Sequence, residues 1–225
     1  MVDLSLVRSQ DLWYIIGLIT TDGNLSKDGR HINITSKDRC LLLKVKKSLG
    51  LKNKITWKAN GIRPDDKIYS VLQIGDKKFY NFLLGINLVP KKSLVLGRLK
   101  IPDSYFKDFF RGVIDGDGSI SNWVHKTNKN QQWSLKITSG SENFVRWLED
   151  EIKIKFKAKG KIYGYKYKNK KNFIYNLKFG KFATKVILKE CYYENCLALN
   201  RKLKQAQRCL AAKDGLSKYG EVIWV

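Results

Sequence analysis

Several residue types are scarce in this chain, and each scarcity excludes something. Histidine occurs twice, at His31 and His125, and the four cysteines, Cys40, Cys191, Cys196 and Cys209, form no Cys-x-x-Cys pair. A structural zinc site needs tighter clustering, so the cysteines read as reduced thiols. The same scarcity argues against a Ser-His-Asp or Cys-His centre and leaves carboxylates, lysines and metal to carry any chemistry. No P-loop or dinucleotide fingerprint is present. Three prolines and no low-complexity tract argue against a linker. No apolar run approaches the roughly 18 residues of a membrane span. The start, Met1-Val2-Asp3-Leu4, lacks the basic and apolar regions of a signal peptide. Acids are outnumbered, 20 Asp+Glu against 44 Lys+Arg, for a net charge of +24.

What is present is a chain able to fold. Its 225 residues, 43% hydrophobic and 12% aromatic, suffice for one large domain or two of about 100 residues each. The positive charge repels itself and attracts polyanions. Nucleic acid is the partner it favours, because counterion release rewards each lysine that reaches a phosphate. An anionic membrane surface is a weaker fit, and no membrane association is expected. Of the basic residues, 35 are Lys and 9 Arg, beside 15 Asn. Such a bias fits an A+T-rich coding sequence. An intracellular location is expected: an organelle (mitochondrion or chloroplast) fits, and so does a microbial or phage-infected cytoplasm.

The chain contains a repeat. Residues 14–25, Y-I-I-G-L-I-T-T-D-G-N-L, align without gaps on residues 109–120, F-F-R-G-V-I-D-G-D-G-S-I. Gly17 falls on Gly112 and Asp22 on Asp117. Ile34-Thr35-Ser36 then matches Ile137-Thr138-Ser139, and Tyr69 to Gly75 matches Ile174 to Gly180. Helical spacing follows the first strands in each copy: Leu41, Leu42, Val45 and Leu49, then Phe144, Val145, Leu148 and Ile152. Further helices are expected at 77–86 and 181–194. Strands are expected within 24–36, 54–60, 66–76, 119–125, 131–139, 159–168 and 172–178, with turns at Asn60-Gly61 and Asn169 to Lys171. The fold class is therefore α/β (α+β), two tandem αββαββα repeats related by a rough two-fold axis. The halves are 1–100 and 101–209, followed by a tail at 210–225 in which Ile223 and Trp224 are the apolar residues.

The repeated motif has a physical logic. Ile15, Ile16, Leu18 and Ile19 make an apolar helix with Gly17 inside it, at a cost of roughly 1 kcal/mol in propensity. The cost makes sense if a second backbone approaches closely, and Gly112 marks the matching place. Two such helices packed at their glycines bring Asp22 and Asp117 together at their C-terminal ends. There the acids face the negative helix ends and each other, an arrangement that folding alone disfavours. A divalent cation resolves both conflicts. Mg²⁺ needs only one or two carboxylates plus phosphate oxygens and water, the arrangement for hydrolysing a phosphodiester. The competing reading makes each Asp-Gly an ordinary helix end.

I-I-G-L-I-T-T-D-G and F-R-G-V-I-D-G-D-G resemble two LAGLIDADG motifs, and residues 9–205 resemble the single-chain, two-motif LAGLIDADG homing endonucleases. The resemblance implies that Asp22 and Asp117, the eighth motif residues, are the catalytic metal ligands. It implies that the backbone carbonyls of Thr21 and Gly116 assist them. The sixth position, often acidic in the family, departs to Thr20 in one copy and is Asp115 in the other. The resemblance also implies that Lys92 and Lys202, within Val89-Pro90-Lys91-Lys92 and Leu199-Asn200-Arg201-Lys202, lie near the metals, and that Ser36 and Ser139 order water. In the family the antiparallel sheets form a saddle on double-stranded DNA, which is cut across the minor groove to leave 3′ overhangs. A long, asymmetric target and a monomer are expected.

From Ile152 to Lys189 there are 13 lysines and no acid. Lys153, Lys155, Lys157, Lys159 and Lys161 alternate, which on a strand lines one face with lysine; Tyr163, Tyr165, Tyr167 and Tyr175 are nearby. The alternative is an edge strand defended by lysines. Arg30, Lys54, Lys58, Gln73, Lys136, Lys166 and Lys178 are the DNA contacts expected. Lysine mostly meets phosphate, whereas Arg, Asn and Gln more often read bases. Two other activities fit the same resemblance: an intron RNA maturase, or a DNA-binding regulator that does not cut. An enzyme embedded in an intein is a poorer fit.

Overall fold

A computed structural model describes residues 2, 9–58, 69–166, 168 and 171–212. Asn60-Gly61, Tyr167, Asn169 and nearly all of the tail, including Ile223 and Trp224, lie outside them. The first half runs α1 (Gln10–Asp22), β1 (Gly23–Leu25), β2 (His31–Ser36), α2 (Arg39–Ser48), β3 (Ile55–Lys58), β4 (Tyr69–Gly75) and α3 (Lys77–Gly85). The second runs α4 (Phe106–Asp117), β5 (Gly118–Val124), β6 (Gln131–Ser139), α5 (Glu142–Phe156), β7 (Lys161–Tyr165), β8 (Ile174–Phe179) and α6 (Lys181–Cys191). A last helix, α7 (Asn200–Ala211), follows. Each half is an αββαββα repeat with one four-stranded antiparallel sheet, ordered β1-β2-β4-β3 and β5-β6-β8-β7. Among the described residues no helix is long and apolar enough to cross a membrane.

The motif helices occupy the middle. Every α1 residue from Leu12 to Thr20 is buried, which an ordinary surface helix would not allow. The covering element is α4. A Cβ on Gly17 would stand 2.1 Å from the Phe109 carbonyl oxygen and 2.9 Å from the Gly112 Cα. A Cβ on Gly112 would stand 2.1 Å from the Tyr14 carbonyl oxygen. Backbone meets backbone, so neither position tolerates a side chain.

Each sheet buries one face under helices and leaves the other open. On β2 and β4, Ile32, Ile34, Leu72 and Ile74 face the core, while Asn33 and Gln73 pair on the open side. On β6 and β8, Leu135, Ile137, Leu177 and Phe179 face in, and Lys136 and Lys178 pair on the open side.

Three expectations need correction. The alternating lysines from Lys153 to Lys161 do not share a strand. α5 continues through Phe156, Lys157 adopts a left-handed conformation and β7 begins at Lys161. Ile152 and Phe156 are buried one helical turn apart, while Ile154 between them is 63% exposed. The period of four won over the period of two because α5 already presents Phe144, Val145 and Leu148 to the core. Second, the two strands expected within 24–36 begin one residue earlier, at Gly23, and pair as a hairpin. Third, the helices expected at 77–86 and 181–194 end at Gly85 and Cys191.

Gly17→Ala should lower stability by about 3 kcal/mol or more, above the usual cost of overpacking because the clash is with backbone. Gly85→Ala, whose Cβ would meet nothing within 4 Å, should be neutral or stabilising by up to about 1 kcal/mol. Urea denaturation of the two variants measures the contrast.

Candidate functional site

The crossing of α1 and α4 carries Asp22 and Asp117 to the last turn of their helices, where both are exposed. Neither Asp-Gly is a left-handed helix cap. Gly23 and Gly118 are extended, with φ of −90° and −78°, and lead straight into β1 and β5. These glycines are required by packing: a Cβ would lie 2.6 Å from the Ile19 Cα and 2.5 Å from the Ile114 carbonyl oxygen. The strands thus start immediately beside the acids.

No hydrogen bond or ion pair among the described residues holds either carboxylate. Partial burial, then the charge of Asp117, raises Asp22 to about pH 6; Lys202 and Lys92 oppose the shift. Burial also raises Asp117, again opposed by Lys202 and Lys92. Each acid lines a different cleft. One, of about 410 Å³, joins Asp22 to Thr35, Ser36, Arg201 and Gly116. The other, of about 260 Å³, joins Asp117 to Thr138, Ser139, Lys92 and Thr21.

The two lysines are not equivalent. The Lys202 Nζ donates to the carbonyls of Ile114, Asp115 and Gly116 at 2.5, 2.7 and 3.2 Å. All three of its protons are engaged in capping the end of α4. Burial pushes it down to about 8. It has no donor left for water or phosphate, so the geometry places it as a helix cap and not as a polarising group. Lys92 donates to the Gly23 carbonyl at the end of α1. It lines the Asp117 cleft, and burial lowers its pKa against the pull of Asp117 and Asp22. The Gly116 carbonyl is occupied by Lys202 at the longest of the three distances. Gly116 itself is forced, since a Cβ would stand 1.9 Å from the Thr21 Oγ1.

Ser36 and Ser139 have matching local roles. Their Oγ atoms accept the N–H groups of Asp38 and Ser141 at 3.0 and 3.1 Å, turning the chain into α2 and α5. Those bonds leave the hydroxyl protons free to point into the two clefts.

Two residues were overlooked in the sequence. Arg201 lines the Asp22 cleft, its Nε 3.5 Å from Asp38; its place beside Lys202 in the repeat was the available signal. Asp115, the acidic sixth motif residue of the second copy, has a structural role that the motif does not reveal. It is fully buried and accepts from the Tyr14 and Tyr192 hydroxyls at 2.7 and 2.6 Å and from the Leu199 N–H at 2.6 Å. It anchors the segment that leads into α7.

The expected contacts on DNA fall into two groups. Lys58, Gln73, Lys136 and Lys178 stand on the open sheet faces by strand alternation. Arg30, Lys54 and Lys166 flank strands and are exposed, and Lys166 lies 5.9 Å over the Phe173 ring. Lys153 and Lys155 lie on α5, where Lys155 pairs with Asp103 and Glu151.

The sequence model of a LAGLIDADG-like domain matches residues 9–87. No curated protein sequence matches the chain. Among solved structures, the homing endonuclease I-WcaI bound to its DNA recognition sequence is similar, with a TM-score of 0.60 at 16% identity, covering 88% of this chain and 85% of that one. Full-length DUF199/WhiA from Thermatoga maritima gives 0.57 at 17% identity; the chain is covered to 96% and spans 63% of that protein. The LAGLIDADG homing endonuclease I-GzeII in complex with its DNA target gives 0.53 at 14%, covering 88% and 87%. At these identities the likeness is one of fold.

In metal-free protein the Asp22 carboxyl should titrate near pH 6. Asp117→Asn removes a neighbouring negative charge and should move that midpoint down, toward the ordinary carboxylate range. Carbon-13 NMR of the side-chain carboxyls measures both; an unmoved Asp22 midpoint would separate the two acids electrostatically.

Proposed function

We propose that this chain, a two-repeat member of the LAGLIDADG family, is a site-specific DNA endonuclease of the homing type. It hydrolyses one phosphodiester on each strand of a long asymmetric duplex and leaves 3′ overhangs. The observation that carries the reading is the pair of exposed carboxylates, unheld by hydrogen bond or ion pair, at the meeting ends of α1 and α4, between two open sheet faces.

The donor set fits Mg²⁺. Among the described residues no cluster of three His, Cys, Asp or Glu exists, so a closed all-protein cage is not on offer. Two carboxylates whose ionised forms are disfavoured by burial suit a hard cation that keeps its waters and shares phosphate oxygens. The chemistry supplied there is activation of water and neutralisation of charge on the phosphodiester.

The protein's own groups do the rest. Asp22 and Asp117, one beside each cleft, would hold the metal. Lys92, with donors beyond its bond to Gly23, supports negative charge on phosphate at the Asp117 cleft. Arg201 supplies the permanent positive charge at the Asp22 cleft. Ser36 and Ser139 offer hydroxyl protons to water in the two clefts. Lys202 and Asp115 hold the frame. The net charge of +24 draws the protein to the DNA backbone and makes binding steeply salt-dependent.

Cleavage of a DNA library rich in A+T organellar and microbial genes, with the ends sequenced, should give Mg²⁺-dependent cuts at one long motif and none in EDTA. Asp22→Asn and Asp117→Asn should each lower double-strand cleavage by more than about 100-fold while largely sparing binding. Double-strand cutting retained by both variants would remove the acids from the mechanism. Selective binding without cleavage would instead identify a regulator, and selective binding of an intron RNA a maturase.

A further inference from the structure

The two open sheet faces are not chemically alike at equivalent positions. On the second sheet, Lys136 of β6 is directly opposite Lys178 of β8, and Lys178 is directly opposite Lys161 of β7. Strand alternation puts all three ammonium side chains in one transverse row on the open face. No carboxylate among the described residues pairs with any of them. Lys178 is steadied only by the Trp123 ring, 6.0 Å away. Like charges directly opposite on a sheet oppose folding, so the row is not there for stability.

In the first sheet the repeat places Asn33 where the second has Lys136, and Gln73 where it has Lys178. Asn33 and Gln73 are likewise directly opposite one another and on the open face. Asn33 donates one amide proton to the Ser26 hydroxyl at 3.4 Å, which leaves its carbonyl oxygen and second proton outward. The same place therefore offers neutral amides in one half and bare ammonium groups in the other. In both halves it lies on the two inner strands of the sheet, away from the sheet edges.

We propose that this pair of positions is a specificity determinant that makes the two half-sites differ in base composition. The amides, each with a donor and an acceptor, match the N6–H and N7 of adenine. The ammonium groups have donors only. They match the O6 and N7 of guanine, where both edge atoms accept, and they are mismatched to the adenine N6–H₂. At equal distance from the cleavage centre, the first half-site carries an A·T pair and the second a G·C pair. The inference rests on the DNA-binding reading above.

The test transplants one row onto the other. The full-length wild-type chain and the double variant Lys136→Asn, Lys178→Gln are each used to select from a randomised double-stranded oligonucleotide library, in EDTA so that no strand is cut. The wild type should enrich an asymmetric motif with G·C at one inner position and A·T at its pseudo-symmetric mate. The variant should change G·C to A·T at that position alone, by about five-fold or more, and should melt at the same or a higher temperature. An unchanged motif with weaker binding to every sequence, and a salt slope smaller by about two, would make these lysines phosphate contacts and overturn the proposal. No enriched motif from the wild type would overturn the DNA reading itself, and this inference with it.

Discussion

The contact between Gly17 and Gly112 sets everything else in this molecule. Two helix backbones can approach this closely only where both lack a Cβ. The crossing closes the interface between the repeats and fixes the angle at which α1 and α4 diverge. It also delivers Asp22 and Asp117 side by side at the helix ends. Because Gly23 and Gly118 turn each helix straight into an edge strand, both sheets inherit their position from the same contact. A shift at the crossing would move both acids and both sheets together. Folding and function thus share one constraint, and the propensity cost of two mid-helix glycines is repaid by the interface.

The pseudo-symmetry stops at the interior of the second half. Asp108 and Arg111 form a fully buried pair at 2.8 Å. Arg111 also donates to the carbonyls of Cys191 and Leu197 and lies between the rings of Tyr14 and Tyr193. A buried ion pair is weak evidence of net stability, because desolvation offsets the attraction. Its effect here is positional. Together with Asp115 it pins residues 191–199 to α4, and so sets α7 with Arg201 and Lys202 against the motif helices. At the matching places the first half has Trp13, Ile16 and Thr20, and the Thr20 hydroxyl donates within its own helix, to the Ile16 carbonyl at 2.8 Å. Lys92 there comes from a single 3-10 turn, Lys92–Leu94, and not from a long helix. Lys202 thus donates to three carbonyls at the end of its helix, and Lys92 to one.

Much of this was legible in the sequence, for identifiable reasons. The repeat, the motif helices and the succession of helices and strands along each half follow from apolar periodicity and from the gapless alignment of residues 14–25 on 109–120; the order of strands within each sheet does not. A duplicated signal is hard to produce by accident. The misreading of Lys153 to Lys161 arose where two periods coincide. Ile152, Ile154 and Phe156 alternate as a strand would, yet Ile152 and Phe156 are also one helical turn apart. Only the exposure of Ile154 decides between them, and exposure is a tertiary property. Lys202 was recognisable as a repeated lysine but not as a cap, because its partners are backbone carbonyls that carry no sequence signature. The role of Asp115 was hidden likewise: Tyr192 and Leu199 reach it from far along the chain.

Charge ties the surface to the same logic. Folding gains nothing from the opposed Lys136, Lys178 and Lys161, and the protein as a whole repels itself at +24. The core can tolerate this because its apolar residues are nearly all beneath the sheets and between the motif helices, away from the lysines. A polyanion laid across the open faces would reduce the repulsion, and would stabilise the fold to the extent that the folded arrangement of lysines binds it more tightly than the unfolded chain does. The exposed acids at the junction, Asp22 and Asp117, with Asp38 lining the Asp22 cleft, are negative features between two basic faces. The Asp22 and Asp117 carboxylates repel a phosphate backbone that the lysine-lined faces attract, so the junction and the faces make opposite electrostatic demands on the same polyanion.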